Sequence, residues 1–175
     1  MVSVAYVPSI WQEVVSIKYD GMEMALTFCM TENKLALCTG HLVAPSVGTH
    51  DVEITLSDPA VMLCKAASYN GVKQESPVWK INSGVGNMVT DIPVDTFMKI
   101  GAMTIGVGAV NDIEAGNDAL YGGQVMVWDD ADAGEGLRMD GISIIGLEDV
   151  ESMPLPNHIT KPSCWAVIIT GALPA

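Results

Sequence analysis

Apolar residues alternate with polar or small residues in short runs along most of the chain. One run covers residues 15–19, the dipeptide Asp20-Gly21 follows it, and a second run covers residues 22–28. A period of two is typical of a β-strand with one buried face, and Asp-Gly between two such runs predicts a tight hairpin. A second hairpin is predicted to turn at residues 31–34 and to return through residues 35–38.

The rest of the pattern predicts more strands and no long helix. Strands are predicted at residues 52–56, 61–66, 78–81, 103–110, 124–128, 142–147 and 165–170, with a hairpin at Asn70-Gly71. Turns or loops are predicted at residues 82–87, 111–118, 129–136 and 148–161, and one helical turn at residues 95–99. We therefore expect a single all-β domain over residues 1–175, a β-sandwich or a jelly-roll-like barrel with short hairpins. Helix should account for less than about one residue in six.

The stretch 97–110 contains the clearest strand. From Met103 onward its apolar residues share one face, while Thr104, Gly106 and Gly108 share the other. Two glycines on one strand face leave room for a large side chain or another backbone to approach closely. We expect that close neighbour at both glycines, and we expect the strand to contribute to an interface between subunits. The residues assigned to that interface are Met103, Ile105, Gly106, Val107 and Gly108.

Composition favours a packed protein and disfavours a nucleic-acid partner. Apolar residues make up 49% of the chain and charged residues 17%, which argues against disorder and suggests an apolar surface covered by a partner. The net charge is −13, and residues 111–151 hold eleven acidic residues against one basic residue, Arg138. Phosphate binding needs Lys and Arg, so we expect no nucleic-acid role. The N-terminal residues do not resemble a signal peptide, and no apolar run is long enough to span a membrane.

The four cysteines are expected to be free thiols. They stand at positions 29, 38, 64 and 164, and no two of them form a C-x-x-C motif. Without a secretion signal, buried thiols are the usual state of such residues. A four-residue loop at residues 32–35 would place Cys29 opposite Cys38 on a hairpin, but thiols are expected there too.

No pattern of catalytic or cofactor-binding residues stands out. The sequence has no G-x-S-x-G motif, and His41, His50 and His158 lie in different predicted loops, so each is expected to be a surface or capping histidine. The acidic run 129–135 departs from the EF-hand spacing and is expected to be a solvated turn. The glycines at 101, 106 and 108 precede no helix that could bind a phosphate. We expect no catalytic residue, no metal and no cofactor.

The C-terminal half resembles the small capsid decoration, or cement, proteins of tailed bacteriophages. Those proteins combine I-G-[VIL] strand units, a polar segment rich in Gly and Asp, and a terminal strand of the V-x-[VIL]-x-G kind. The matching residues here are Ile105-Gly106-Val107-Gly108, Ala115-Gly116-Asn117-Asp118, Ile145-Gly146-Leu147 and the terminal run 165–171. The resemblance implies a β-barrel or jelly-roll-like subunit, often trimeric, that sits on a capsid lattice, and it implies no catalytic residue.

These observations lead to one expected function and two alternatives. The expected function is a virion structural protein, made in the host cytoplasm, that binds the major capsid protein as a homotrimer on the capsid surface and stabilises the head shell. One alternative is another virion β-barrel subunit from a tail tube, an adaptor or a fibre tip. The second is a carbohydrate- or ligand-binding β-sandwich, which would cluster Trp11, Trp79, Trp128 and Tyr121 on one exposed face.

Overall fold

The described residues of the chain form fourteen β-strands and no helix. The computed structural model describes residues 1–8, 12–32, 35–92, 94–111, 125–132, 136–146, 149–154 and 157–175. The strands are β1 (Val2–Tyr6), β2 (Val14–Tyr19), β3 (Met22–Glu23), β4 (Ala25–Glu32), β5 (Leu35–His41), β6 (Val52–Leu56), β7 (Met62–Ala66), β8 (Val78–Ile92), β9 (Asp95–Met98), β10 (Met103–Val110), β11 (Val125–Asp132), β12 (Leu137–Ile145), β13 (Val150–Pro154) and β14 (Asn157–Ala172). The all-β prediction is confirmed.

Within the described part of the chain, all strand pairs are antiparallel, and they form four sheets that do not close into a barrel. The three-stranded sheet has the order β3-β2-β6, and the four-stranded sheet has the order β4-β5-β1-β7. The five-stranded sheet has the order β11-β12-β10-β14-β8, and the two-stranded sheet pairs β13 with β9. Of the two predicted architectures, the described residues therefore form the sandwich.

Three hydrophobic cores hold the sheets in a stack. Strands of the three-stranded sheet pack against one face of the four-stranded sheet, around Ile17 and Val4. The other face of the four-stranded sheet packs against the five-stranded sheet, around Leu37 and Ile168. The far face of the five-stranded sheet is covered by the segment that carries Phe97. Both central sheets are covered on their two faces, which explains why β1 is buried at every position.

The first hairpin forms where it was predicted, but its second strand is split between two sheets. Asp20 and Gly21 both have positive φ, 52° and 72°, as the two central residues of a type I′ turn require. After the turn, β3 pairs with β2, whereas β4 pairs with β5 in the next layer. Met24 lies at the crossing point, where it is buried and its N–H donates to the carbonyl of Ile17 at 2.8 Å. Alternation alone predicted one continuous strand here.

Several segments predicted as turns or loops are strands. Residues 82–87 continue β8, residues 95–98 form β9 instead of a helical turn, and residues 129–132 extend β11. The segment 148–161 contains β13 and the start of β14. Asn70-Gly71 is not a hairpin turn, because β7 and β8 belong to different sheets. Glycine and charged residues argued against strands in these places, and pairing with neighbours that are distant in sequence overrides that preference.

Tryptophan side chains explain why glycines are tolerated in two of these strands. Trp165 on β14 lies opposite Gly86 on β8, and a Cβ atom on Gly86 would come within 2.6 Å of Cζ2 of the indole. Trp79 and Phe97 lie over Gly171 in the same way, with a Cβ there 2.7 Å from Cε2 of Phe97. The glycines are therefore positions where an aromatic ring lies flat against the backbone of the neighbouring strand.

The expectation of four free thiols is wrong for Cys38. Cys38 is disulfide-bonded, whereas Cys64 and Cys164 do not take part in a disulfide. The predicted hairpin register is confirmed, because Cys29 and Cys38 are backbone partners across β4 and β5. A hairpin alone does not decide between thiols and a disulfide, which is why the sequence did not predict the bond.

Candidate interaction surface

The residues assigned to a subunit interface lie in strand β10, mostly inside the chain's own core. Ile105 and Val107 are 3% and 2% exposed, and Val107 packs between the four-stranded and five-stranded sheets. Gly106 is also buried, whereas Met103 and Gly108 are half-buried. The role of these five residues in contacts between subunits stays a prediction, and the two half-buried positions offer most of the surface for it.

The glycine face of β10 lies beside large apolar side chains of β14. Gly106 is the register partner of Ile169, and Gly108 is the partner of Val167. Ile169 and Val167 belong to the core that faces the two-stranded sheet. Partners in an antiparallel pair share a face, so the two glycines border that core. The effect of a larger side chain at Gly106 stays a prediction.

Two of the most exposed isoleucines lie at one end of the five-stranded sheet, next to Met103. Ile100 is 63% exposed and Ile145 is 58% exposed. Ile145 is the register partner of Met103 at the start of β10. Ile100 lies three residues before Met103, in the turn between β9 and β10. We call Ile100, Met103 and Ile145 together the apolar end.

Main-chain hydrogen bonds fix the position of Ile100. The N–H of Ala102 donates to the carbonyl of Lys99 at 2.9 Å, and Gly101 has a φ of +74°. With glycine at the third position and Ile100 at the second, the geometry is that of a type II turn. The side chain of Ile100 therefore projects from the tip of a closed turn.

The same turn is tied to the end of β12. The N–H of Gly101 donates to the carbonyl of Gly146 at 3.0 Å, and the N–H of Gly146 donates to the carbonyl of Ala102 at 2.9 Å. The carboxylate of Asp149 accepts from the N–H of Ile100 at 2.9 Å. A Cβ atom on Gly146 would lie only 2.9 Å from the carbonyl carbon of Lys99, so this close approach requires glycine. The apolar end is thus built on ordered strand ends.

Sequence reasoning found part of this surface and missed Ile100. Met103 was among the assigned interface residues, and Ile145-Gly146 was part of the quoted strand motif. Ile100 directly follows the predicted helical turn at residues 95–99 and was not assigned to the interface. The sequence does contain one signal for this surface, because Ile100 stands directly before Gly101 in a turn. A polar residue would fit the second position of that turn equally well, so an isoleucine there indicates a role other than forming the turn.

Aromatic and basic side chains meet around Phe97, which covers the far face of the five-stranded sheet. The rings of Trp79 and Phe97 are in edge-to-face contact with centroids 5.1 Å apart. The ammonium of Lys99 lies 5.7 Å from the Trp79 ring, and that of Lys80 lies 4.9 Å from the Phe97 ring. Trp79 is half-buried in this cluster, so its ring is largely occupied by protein contacts. The side chains of Trp11, Trp128 and Tyr121, which the ligand-binding alternative also needs, lie outside the described residues.

Two of the predicted surface histidines make local contacts. Nδ1 of His41 is 2.8 Å from Oγ1 of Thr27, and burial together with the N-terminal amine lowers the pKa of His41. Nδ1 of His50 is 3.1 Å from a carboxylate oxygen of Asp20, close to the turn of the first hairpin. His158 lies in β14, and its side chain is outside the described residues. Within the described part of the chain, no three His, Cys, Asp or Glu side chains are arranged to hold a metal ion.

We call residues 111–151 the acidic segment, and its residues 112–124, 133–135 and 147–148 are outside the described residues. The described residues include no helix that is long and apolar enough to cross a membrane. Comparisons of the chain with protein-family models, curated proteins and solved structures find no match.

Proposed function

We propose that this chain is a virion structural protein that binds the major capsid protein and reinforces the head shell, as capsid decoration proteins do. In this proposal it is made in the host cytoplasm, assembles as a homotrimer and catalyses no reaction. The observation that carries the proposal is the apolar end, where Ile100 and Ile145 are exposed on a chain with a net charge of −13. Apolar side chains that are exposed next to one another favour a contact with another protein, whereas single exposed ones do not.

The construction of the apolar end supports a docking role. Three hydrogen bonds join the turn that carries Ile100 to the segment after β12. A contact that is already ordered before binding loses little conformational entropy when it binds.

A particle-stability experiment tests the proposal. Particles stripped of the protein are heated with and without added wild-type protein, and genome release is followed by dye fluorescence. Added wild-type protein should raise the release temperature. Unchanged heat resistance, or particles that lack tails when the protein is removed, would contradict the capsid-shell role.

Variants then test the apolar end itself. Ile100→Asn with Ile145→Asn should keep the urea midpoint of the wild type, because both side chains are more than half exposed. Burying more than half of an isoleucine is worth about 1–2 kcal/mol, so each change should weaken binding to particles by about tenfold. Val47→Asn is the matched control, since Val47 is 100% exposed and lies in a loop far along the chain from both. Equal binding by the double variant and the control would contradict the assignment.

Salt dependence separates this surface from an acidic one. Docking through apolar burial should change little between low and high salt, whereas docking through the acidic segment should weaken, because exposed charge pairs are screened over about 8 Å at physiological ionic strength. The trimer is tested by sedimentation at micromolar concentration, and a monomer there would contradict it.

A further inference from the structure

The arrangement of cysteines across the four-stranded sheet selects one disulfide partner for Cys38. The registers place Cys29, Cys38, Val4 and Cys64 in one row across β4, β5, β1 and β7. Cys64 is two strands away from Cys38, which corresponds to about 9–10 Å between Cα atoms. A disulfide needs a Cα separation below about 7 Å, so Cys64 is out of reach and it is free.

Cys164 is excluded by its position in the stack. It belongs to β14 and packs in the core between the four-stranded and five-stranded sheets. Cys38 belongs to the core on the opposite face of the four-stranded sheet. Cys29, directly opposite Cys38 in register, is the remaining cysteine of the chain.

We propose that a Cys29–Cys38 disulfide is an oxidation-dependent lock on edge strand β4. Among the described strands, β4 is the outermost strand of its sheet and pairs with β5 alone. The disulfide therefore adds a covalent bond to a strand that has one neighbour fewer. Formation of the disulfide removes two electrons and two protons from the two thiols. A small disulfide such as oxidised glutathione takes them up and leaves as two thiols. This inference does not depend on the proposed capsid role.

Once the disulfide has formed, the surroundings of Cys38 slow its reduction. Cys38 is 1% exposed, so a soluble reductant reaches it only when the hairpin opens. Burial raises the pKa of the Cys64 thiol, so little thiolate is present there to attack the bond. In protein made in a reducing compartment, Cys29 and Cys38 would stay thiols until the protein meets an oxidant.

Peptide mapping tests the linkage. Protein treated with oxidised glutathione is unfolded in guanidinium with iodoacetamide and no reductant, then digested. Cys64 and Cys164 should be alkylated, and one cross-linked peptide should contain Cys29 and Cys38. Four alkylated cysteines, or a linkage through Cys64 or Cys164, would overturn the proposal.

Hydrogen exchange tests the lock on the wild-type protein in its oxidised and reduced forms. The closed loop holds about ten residues, and releasing it should speed exchange of the β4 amides by about 100-fold. Amides of β10 and β14 should exchange equally in both forms. The double variant Cys29→Ser, Cys38→Ser should behave as the reduced form, and Cys64→Ser should keep the difference between the two states. Equal β4 exchange in oxidised and reduced wild-type protein would overturn the lock.

Discussion

Replacing Gly86 by alanine should destabilise the protein through a single contact with Trp165. An alanine Cβ at this position would overlap the indole, with Cζ2 only 2.6 Å away. Trp165 is 2% exposed and packs with Val167 and Phe97, so the rigid ring has no free space to move into. The backbone strands must separate instead.

The expected magnitude follows from two opposing terms. Overpacking of a well-packed core costs about 1–3 kcal/mol. Replacing glycine by alanine also lowers the conformational entropy of the unfolded chain. This stabilises the folded state by about 0.4–1 kcal/mol where the folded backbone accepts the change. The net loss should be about 1–2 kcal/mol, or a decrease of about 2–8 °C in Tm for a protein of this size.

Gly40→Ala is the matched control, because Gly40 is, like Gly86, a glycine inside a strand, in β5. A Cβ atom there would have its nearest neighbours at 3.5 Å, an ordinary packing distance. Urea unfolding followed by tryptophan fluorescence should show a stability equal to or slightly above that of the wild type for this variant. If Gly86→Ala and Gly40→Ala unfold at the same urea concentration, the overlap with Trp165 does not determine stability.

A double-mutant cycle identifies the contact. The Nε1 atom of Trp165 has no hydrogen-bond partner among the described residues, so Trp165→Phe removes ring volume without breaking a hydrogen bond. In the Trp165→Phe background, Gly86→Ala should cost much less than in the wild type. Additive effects of the two changes would refute the steric explanation.

Three further predictions concern a second glycine and two titrating side chains. Gly106→Val should destabilise by about 1–3 kcal/mol by crowding the Ile169 face, and a variant that melts with the wild type would show that the glycine is incidental. Burial raises the pKa of Tyr69 to about 12. The tyrosine of the unfolded chain therefore ionises first, and the free energy of unfolding should fall from pH 10 to pH 12. Tyr69→Phe should remove that loss in urea unfolding. His41 has a lowered pKa, so the folded state binds fewer protons than the unfolded state and stability should fall as the pH drops below 6.5. His41→Gln should flatten this acid limb in urea unfolding, and an unchanged limb would contradict it.

The sequence by itself determined the fold class and the local hairpins. Period-two alternation and the absence of a helical period were sufficient for an all-β structure, because side-chain alternation follows directly from strand geometry. The Asp20-Gly21 turn and the Cys29–Cys38 register were also local properties, set by turn chemistry and loop length.

Only the tertiary structure decided which strands share a sheet and which residues reach the surface. β3 and β4 read as one alternating run, yet they pair in different layers on either side of Met24. Gly84 and Gly86 read as a turn, yet the indole of Trp165 on a strand about 80 residues away occupies the space they leave. The apolar end depends on hydrogen bonds between the β9–β10 turn and the segment after β12. Contacts between residues so distant in sequence leave no local pattern, because each partner alone satisfies an ordinary strand or turn preference.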